Sequence, residues 1–131
     1  MTVHEGACHC RTVRFQVSFD ITELTTCDCS ICVKRNAVMT KVPEDALTIT
    51  AGEDALTLYE WNTRRAKHYF CSHCGIYVFH RKRAAPDRFG VNVACLEDFD
   101  VEAFPFRAAE GIDMSLRAET ARPLWIGPRE G

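Results

Sequence analysis

Seven of the eight cysteines in this 131-residue chain fall into three tight groups: Cys8 and Cys10, then Cys27, Cys29 and Cys32, then Cys71 and Cys74. Thiols one residue apart cannot easily bridge each other, because a disulfide needs Cα atoms several ångströms apart and Cβ vectors aimed together. A metal ion tolerates such crowding, so the spacing points to thiolate–metal coordination rather than a disulfide framework. Structural zinc is closed by four protein ligands, whereas catalytic zinc keeps one corner open. Seven thiols do not divide into two closed sites, but they do divide as four plus three. The natural four are Cys8, Cys10, Cys71 and Cys74, although the spacing permits other partitions. Phe70-Cys71-Ser72-His73-Cys74-Gly75 has the form of half a zinc ribbon, with a glycine that lets the backbone turn its amides toward sulfur. His9 and His73 lie inside these knuckles and could ligate, but surface filling is the ordinary use of a flanking imidazole; His4, His68 and His80 carry the same expectation.

The remaining group is Cys27-Asp28-Cys29-Ser30-Ile31-Cys32. Three thiolates from one segment can hold zinc with its fourth corner open, or the site can be closed by a further side chain and be structural. An open site of this kind suits sulfur chemistry. Zinc holds a bound thiol as thiolate, and that thiolate can attack an electrophile such as an aldehyde. Lys34 and Arg35 follow directly and could receive the carboxylates of an anionic thiol, or simply face solvent. Asp28 and Ser30 could hydrogen-bond the ligands. The two basic runs, Arg64-Arg65 with Lys67 and Arg81-Lys82-Arg83, read as solubilising faces.

These groups must be positioned by β-structure. Thr12 to Phe19 alternates strictly, with Val13, Phe15, Val17 and Phe19 on one face. Further strands are expected over 37–42, around Leu47 and Ile49, and over 56–61, 68–70, 76–80 and 91–95. Turn signals separate them at Pro43-Glu44-Asp45, Gly52-Glu53-Asp54, Asn62-Thr63 and Pro86-Asp87. Helix is expected only as a turn after Cys32 and a short stretch near Ala118; Arg122 to Ile126 should pack on the body and Pro128 to Gly131 fray. Cys95 alternates with Val91 and Val93, so it reads as a buried core thiol. Tyr59, Trp61, Tyr69 and Phe79 read as core, although an aromatic rim around an open zinc would also suit a small aldehyde. Many short strands with regular turns make the chain mainly β.

At 131 residues, 47% apolar and 26% charged, the chain is expected to be one globular domain over residues 1–131. A net charge of −2 gives no basic field for nucleic acid, and no aromatic-plus-basic platform stands out. No stretch approaches the ~20 apolar residues of a membrane span, and residues 1–10 lack the features of a secretory signal. The expectation is therefore a cytoplasmic protein. Its oligomeric state is not legible.

Four segments together resemble the glutathione-dependent formaldehyde-activating (CENP-V/GFA) family: Gly6-Ala7-Cys8-His9-Cys10, Cys27 to Arg35, Phe70 to Gly75, and Val91-Asn92-Val93-Ala94-Cys95-Leu96. The resemblance runs from about Gly6 to Asp100. It implies a β-tent fold of short antiparallel strands stapled by zinc, with two zinc ions per chain. By position, Cys8, Cys10, Cys71 and Cys74 would hold a structural zinc, and Cys27, Cys29 and Cys32 a catalytic, more labile one. It further implies a carbon–sulfur lyase or S-(hydroxymethyl)glutathione synthase whose partners are a small thiol, glutathione by family, and an aldehyde such as formaldehyde. Asn36 stands where the family often has glycine, and asparagine tolerates the left-handed conformation such a turn needs. Two other classes fit parts of the pattern. One is a non-catalytic zinc module that binds a partner; the other is a redox enzyme with Cys95 as nucleophile, which leaves the three-cysteine segment unexplained.

Overall fold

The computed structural model describes residues 2–27, 30–60, 66–82 and 87–109. Its strands are β1 (Val3–Ala7), β2 (Arg14–Ser18), β3 (Leu24–Cys27), β4 (Met39–Pro43), β5 (Leu47–Ala51), β6 (Leu56–Tyr59), β7 (Lys67–Cys71), β8 (Tyr77–Arg81), β9 (Arg88–Asn92) and β10 (Phe106–Ala109), with one short helix, α1 (Ser30–Arg35). They form a three-stranded sheet in the order β1-β2-β5 and a seven-stranded sheet in the order β10-β3-β4-β9-β8-β7-β6. Every pairing is antiparallel except β3 with β10. The fold is thus mainly β, as its short alternating segments require.

The core lies between the sheets. Val13, Phe15 and Val17 are wholly buried, so the alternation of 12–19 marks a true inward face. They pack with Val42, Val78 and Val91 of the larger sheet and with Val93 just beyond β9. The Phe15 ring lies over Gly6, its cross-strand partner, where a Cβ would come within 2.3 Å of it. Fully burying such a ring contributes roughly 2–3 kcal/mol by area.

Three expectations are corrected in detail. The strand foreseen through Val93 and Cys95 stops at Asn92, whose side chain accepts from the Ala94 amide and turns Val93–Cys95 into a 3-10 helix. Tyr59 is 43% exposed rather than core, because β6 is the edge of its sheet. His68 and His80 are buried, not surface residues. The turns expected at Pro43-Glu44-Asp45 and Gly52-Glu53-Asp54 are present, and each takes the form of a short 3-10 helix, Glu44–Ala46 and Glu53–Ala55. The expectations for Trp61, Asn62-Thr63, Arg64 and Arg65, Arg83, Pro86, Ala118 and the C-terminal run lie outside the described residues.

Candidate functional site

Cys8 and Cys10 occupy the turn between β1 and β2; Cys71 ends β7 and Cys74 sits in the turn into β8. Both turns are held by backbone bonds. The Cys8 amide donates to the Val13 carbonyl at 3.0 Å, and the Gly75 amide donates to the Cys71 carbonyl at 2.8 Å. Gly75 has φ of 77°, the left-handed conformation that closes the knuckle at no steric cost to glycine. The result gathers all four sulfurs within 4.8 Å of one another. Cys8 and Cys10 Sγ are 3.6 Å apart, Cys10 and Cys71 Sγ 3.7 Å. A tetrahedron with zinc–sulfur bonds of ~2.3 Å has edges of about 3.8 Å, so the donor set fits such an ion. The amides of Val13 and His73 point at Cys8 Sγ (3.4 Å) and Cys71 Sγ (3.3 Å), the amide-to-sulfur support typical of thiolate sites.

The thiols do not share one protonation behaviour. Burial pushes Cys71 up to about 11. Burial also pushes Cys74 upward, but the amides of Cys10 and Ile76, together with the neighbouring Cys8 and Cys71 thiols, outweigh it and bring it down to about 6. Contact with Thr12 lowers Cys10. Because only thiolates ligate, binding an ion here expels protons from this cluster. His9 and His73 are exposed. The four-cysteine group can therefore hold a metal ion and tie the three-stranded sheet to the β7–β8 hairpin.

The other cysteine segment lies between β3 and α1. Cys27 ends β3 half-buried, and Cys32 is buried on α1. Both pack in a second small cluster with Ile31, Ala37, Met39 and Tyr77. Asp28 and Cys29 lie outside the described residues. The helix ends at Asn36, whose amide donates to the Cys32 carbonyl at 2.8 Å and whose φ of 50° is left-handed.

Next to this helix is a cavity of about 330 Å³, lined by Ile31, Lys34 and Arg35 of α1 with Tyr59, His68 and Tyr77 of the larger sheet. Lys34 is exposed and Arg35 half-buried. The Arg35 guanidinium lies 3.7 Å from the Tyr77 ring centroid, and its Nη2 is 2.9 Å from His68 Nδ1. Guanidinium can only donate, so Nδ1 accepts and neutral His68 carries its proton on Nε2. Beneath lie further buried polar groups. Tyr77 Oη is 2.6 Å from His80 Nδ1 and 3.2 Å from the Gly90 carbonyl. His80 stacks on His68 at 5.2 Å. Burial holds His80 well below the ordinary imidazole range, with the cations Lys82 and Arg35 adding repulsion, so it is neutral. Sequence reasoning did not find this His68–Tyr77–His80 arrangement. Its only trace was polar side chains in otherwise apolar β8, opposite a glycine that leaves room for a ring.

Cys95 is buried and pushed up to about 12, chiefly by burial, and its thiol lies 3.7 Å from the Tyr77 carbonyl. That is the environment of an inert core thiol, as expected, and it speaks against Cys95 as a redox nucleophile. No described helix is long and apolar enough to cross a membrane.

Residues 3–109 match the profile of the family described as glutathione-dependent formaldehyde-activating enzyme. A Talaromyces marneffei protein, whose name places it provisionally among the glutathione-dependent formaldehyde-activating enzymes, is 30% identical over 80 residues. That match covers 56% of this chain and 42% of the relative, so the chain spans less than half of the curated relative's length. A crystal structure of a Rhodobacter sphaeroides protein, a structural genomics target, superposes with a TM-score of 0.72 at 38% identity. It covers 78% of this chain and 98% of that one.

Proposed function

We propose, from the premise that this chain belongs to the glutathione-dependent formaldehyde-activating enzyme family, that it joins a small thiol to a small aldehyde, and cleaves the adduct in reverse as a carbon–sulfur lyase. Glutathione and formaldehyde are the pair the family's description favours. In the forward step a sulfur–carbon bond forms at the carbonyl carbon, the carbonyl π-bond breaks, and the thiol proton ends on the new hydroxyl. Two zinc ions per chain fit the seven clustered cysteines. On this reading Cys8, Cys10, Cys71 and Cys74 hold the structural one and residues 1–131 form one zinc-stapled domain.

Cys27, Cys29 and Cys32 would hold the second, more easily lost ion, which supplies a thiol held as thiolate at neutral pH. What the chain itself contributes is the surrounding wall. Cys32 and Arg35 are three residues apart on α1 and so share one helical face. A ligand whose sulfur sits beside Cys32 therefore has its polar end within reach of Arg35 and Lys34, the proposed substrate contacts. Ile31, Tyr59 and Tyr77 give the cavity apolar sides that limit water around a small electrophile. The single observation that carries this reading is the cation-bearing cavity beside the helix that presents Cys32. A compartment such as the cytoplasm, where thiols stay reduced, suits a chain this rich in clustered cysteines.

The test is two-dimensional exchange NMR of formaldehyde and glutathione with zinc-replete protein. Exchange between free formaldehyde and the S-hydroxymethyl adduct should accelerate in proportion to protein and be lost in Cys29→Ser. An exchange rate equal to the uncatalysed one overturns the proposal.

A further inference from the structure

We infer that Arg35 is a carboxylate receptor that restricts the thiol to carboxylate-bearing molecules, and that Tyr77 and His68 are the residues that position it. Three observations combine. First, Arg35 is half-buried on a cavity wall, and none of the described carboxylates pairs with it; the ion pairs among the described residues join Arg11 to Glu97, Lys67 to Glu60 and Arg81 to Glu44. A half-buried cation without a counter-charge favours an anion in the adjoining space.

Second, its orientation is fixed in advance. One face of the guanidinium lies on the Tyr77 ring, and Nη2 is tied to His68 Nδ1. Tyr77 cannot swing away, because its hydroxyl is bonded to His80 and its carbonyl accepts from Asn92 Nδ2 at 2.9 Å. His68 is held in turn by its stack on His80. A guanidinium clamped by one face and one nitrogen keeps further N–H donors for a ligand, and these match the two oxygens of a planar carboxylate. Holding this fork in place beforehand saves the ordering cost of binding.

Third, the receptor opens on the cavity lined by Ile31 and Lys34 of its own helix, and Arg35 lies about one helical turn from Cys32. A second cavity of about 400 Å³ adjoins it, with Arg35, Gly75 and Tyr77 common to both. The stacked pair thus borders both spaces, and an elongated ligand can hold a carboxylate at Arg35 while its sulfur reaches the cysteine segment. That the ligand is a thiol rests on the proposed thiol–aldehyde reaction; the carboxylate preference does not.

The experiment uses S-methylglutathione, whose sulfur is blocked, and its dimethyl ester, whose carboxylates are masked. Both are titrated calorimetrically into the zinc-replete full chain. The acid should bind roughly 10- to 100-fold more tightly than the ester, the range of a charge-assisted pair. Arg35→Met should bring that ratio to near one. Arg35→Lys should recover little of it, since an ammonium has neither the fork nor the flat face. Tyr77→Phe keeps the ring and should keep most of the ratio, whereas Tyr77→Leu should collapse it. A purely structural loss would weaken acid and ester alike and leave the ratio intact. A wild-type ratio near one, an unchanged ratio in Arg35→Met, or no binding of either ligand overturns the inference. Arg35-dependent binding by a protein that does not accelerate formaldehyde exchange leaves the receptor standing and removes the proposed reaction.

Discussion

Gly90→Ala tests the buried polar bed under the cavity without touching a cysteine. Gly90 pairs across the sheet with His80 on one side and Lys41 on the other. A Cβ built there would lie 2.4 Å from His80 Cε1 and 2.9 Å from Nδ1. Ordinary carbon contacts are ~3.5–4.0 Å, so the ring must move by about 1 Å. It has no room to do so, being 7% exposed, stacked on His68 and bonded to Tyr77 Oη at 2.6 Å. β9 cannot shift instead, because it is paired on both edges. Overpacking costs roughly 1–3 kcal/mol and the broken hydrogen bond about 1 kcal/mol more. The expected loss is therefore about 2–4 kcal/mol, or roughly 6–15 °C in Tm for a chain of this size. Urea denaturation at fixed metal concentration measures it. Combining the change with His80→Ala should remove the clash, so the double variant is more stable than the two single losses predict by about 2 kcal/mol. A Gly90→Ala cost below about 0.5 kcal/mol, or strict additivity with His80→Ala, would refute the packing described here.

Other outcomes follow from the same structure. Phe15→Ala should cost about 3–5 kcal/mol in urea denaturation, since the ring is wholly buried over Gly6. At Asn36, which holds φ of 50°, alanine should cost about 1 kcal/mol while glycine is nearly neutral, read by the same titration. Protons favour the unfolded chain at His80, because its folded pKa is depressed while its unfolded one is near 6.5. Its stabilisation is thus present above pH 6.5 and is lost as pH falls below that value. Between pH 6.5 and 5.5 the wild type should lose about 1 kcal/mol more than His80→Gln, measured as the difference between their pH–stability curves. Equal slopes would show that burial, with the Lys82 and Arg35 cations nearby, does not keep the ring neutral. Cys71→Ser should lower both metal content and Tm steeply, because it breaks the cluster joining the two sheets.

The strands that position the cysteine cluster were readable where burial is one-sided. Val13, Phe15 and Val17 alternate with Arg14, Gln16 and Ser18, and that period of two survives intact as β2. The knuckle at 71–75 was legible because its cysteine spacing and Gly75 are local features. Strands β1, β3 and β10 were not. Val3–Ala7 contains charge and glycine, Leu24–Cys27 is half threonine, and Phe106–Ala109 joins its sheet through a parallel partner far away in sequence. The cavity was hidden for a similar reason. Arg35, His68, Tyr77 and His80 come from one helix and two strands, and what makes them a unit is register and stacking. A histidine inside the apolar run of β8 reads as an interruption until its Tyr77 partner and the glycine opposite are in place.

Zinc content of the purified wild type and of Cys29→Ser, measured with a folding readout on the same samples, tests the central division of the thiols most directly. The account predicts two ions in the wild type. In the variant one remains, with an unchanged circular dichroism spectrum, and it is the ion that resists chelation longer. A wild type that takes up a single ion, or a Cys29→Ser chain that keeps two or unfolds as Cys71→Ser does, would contradict it.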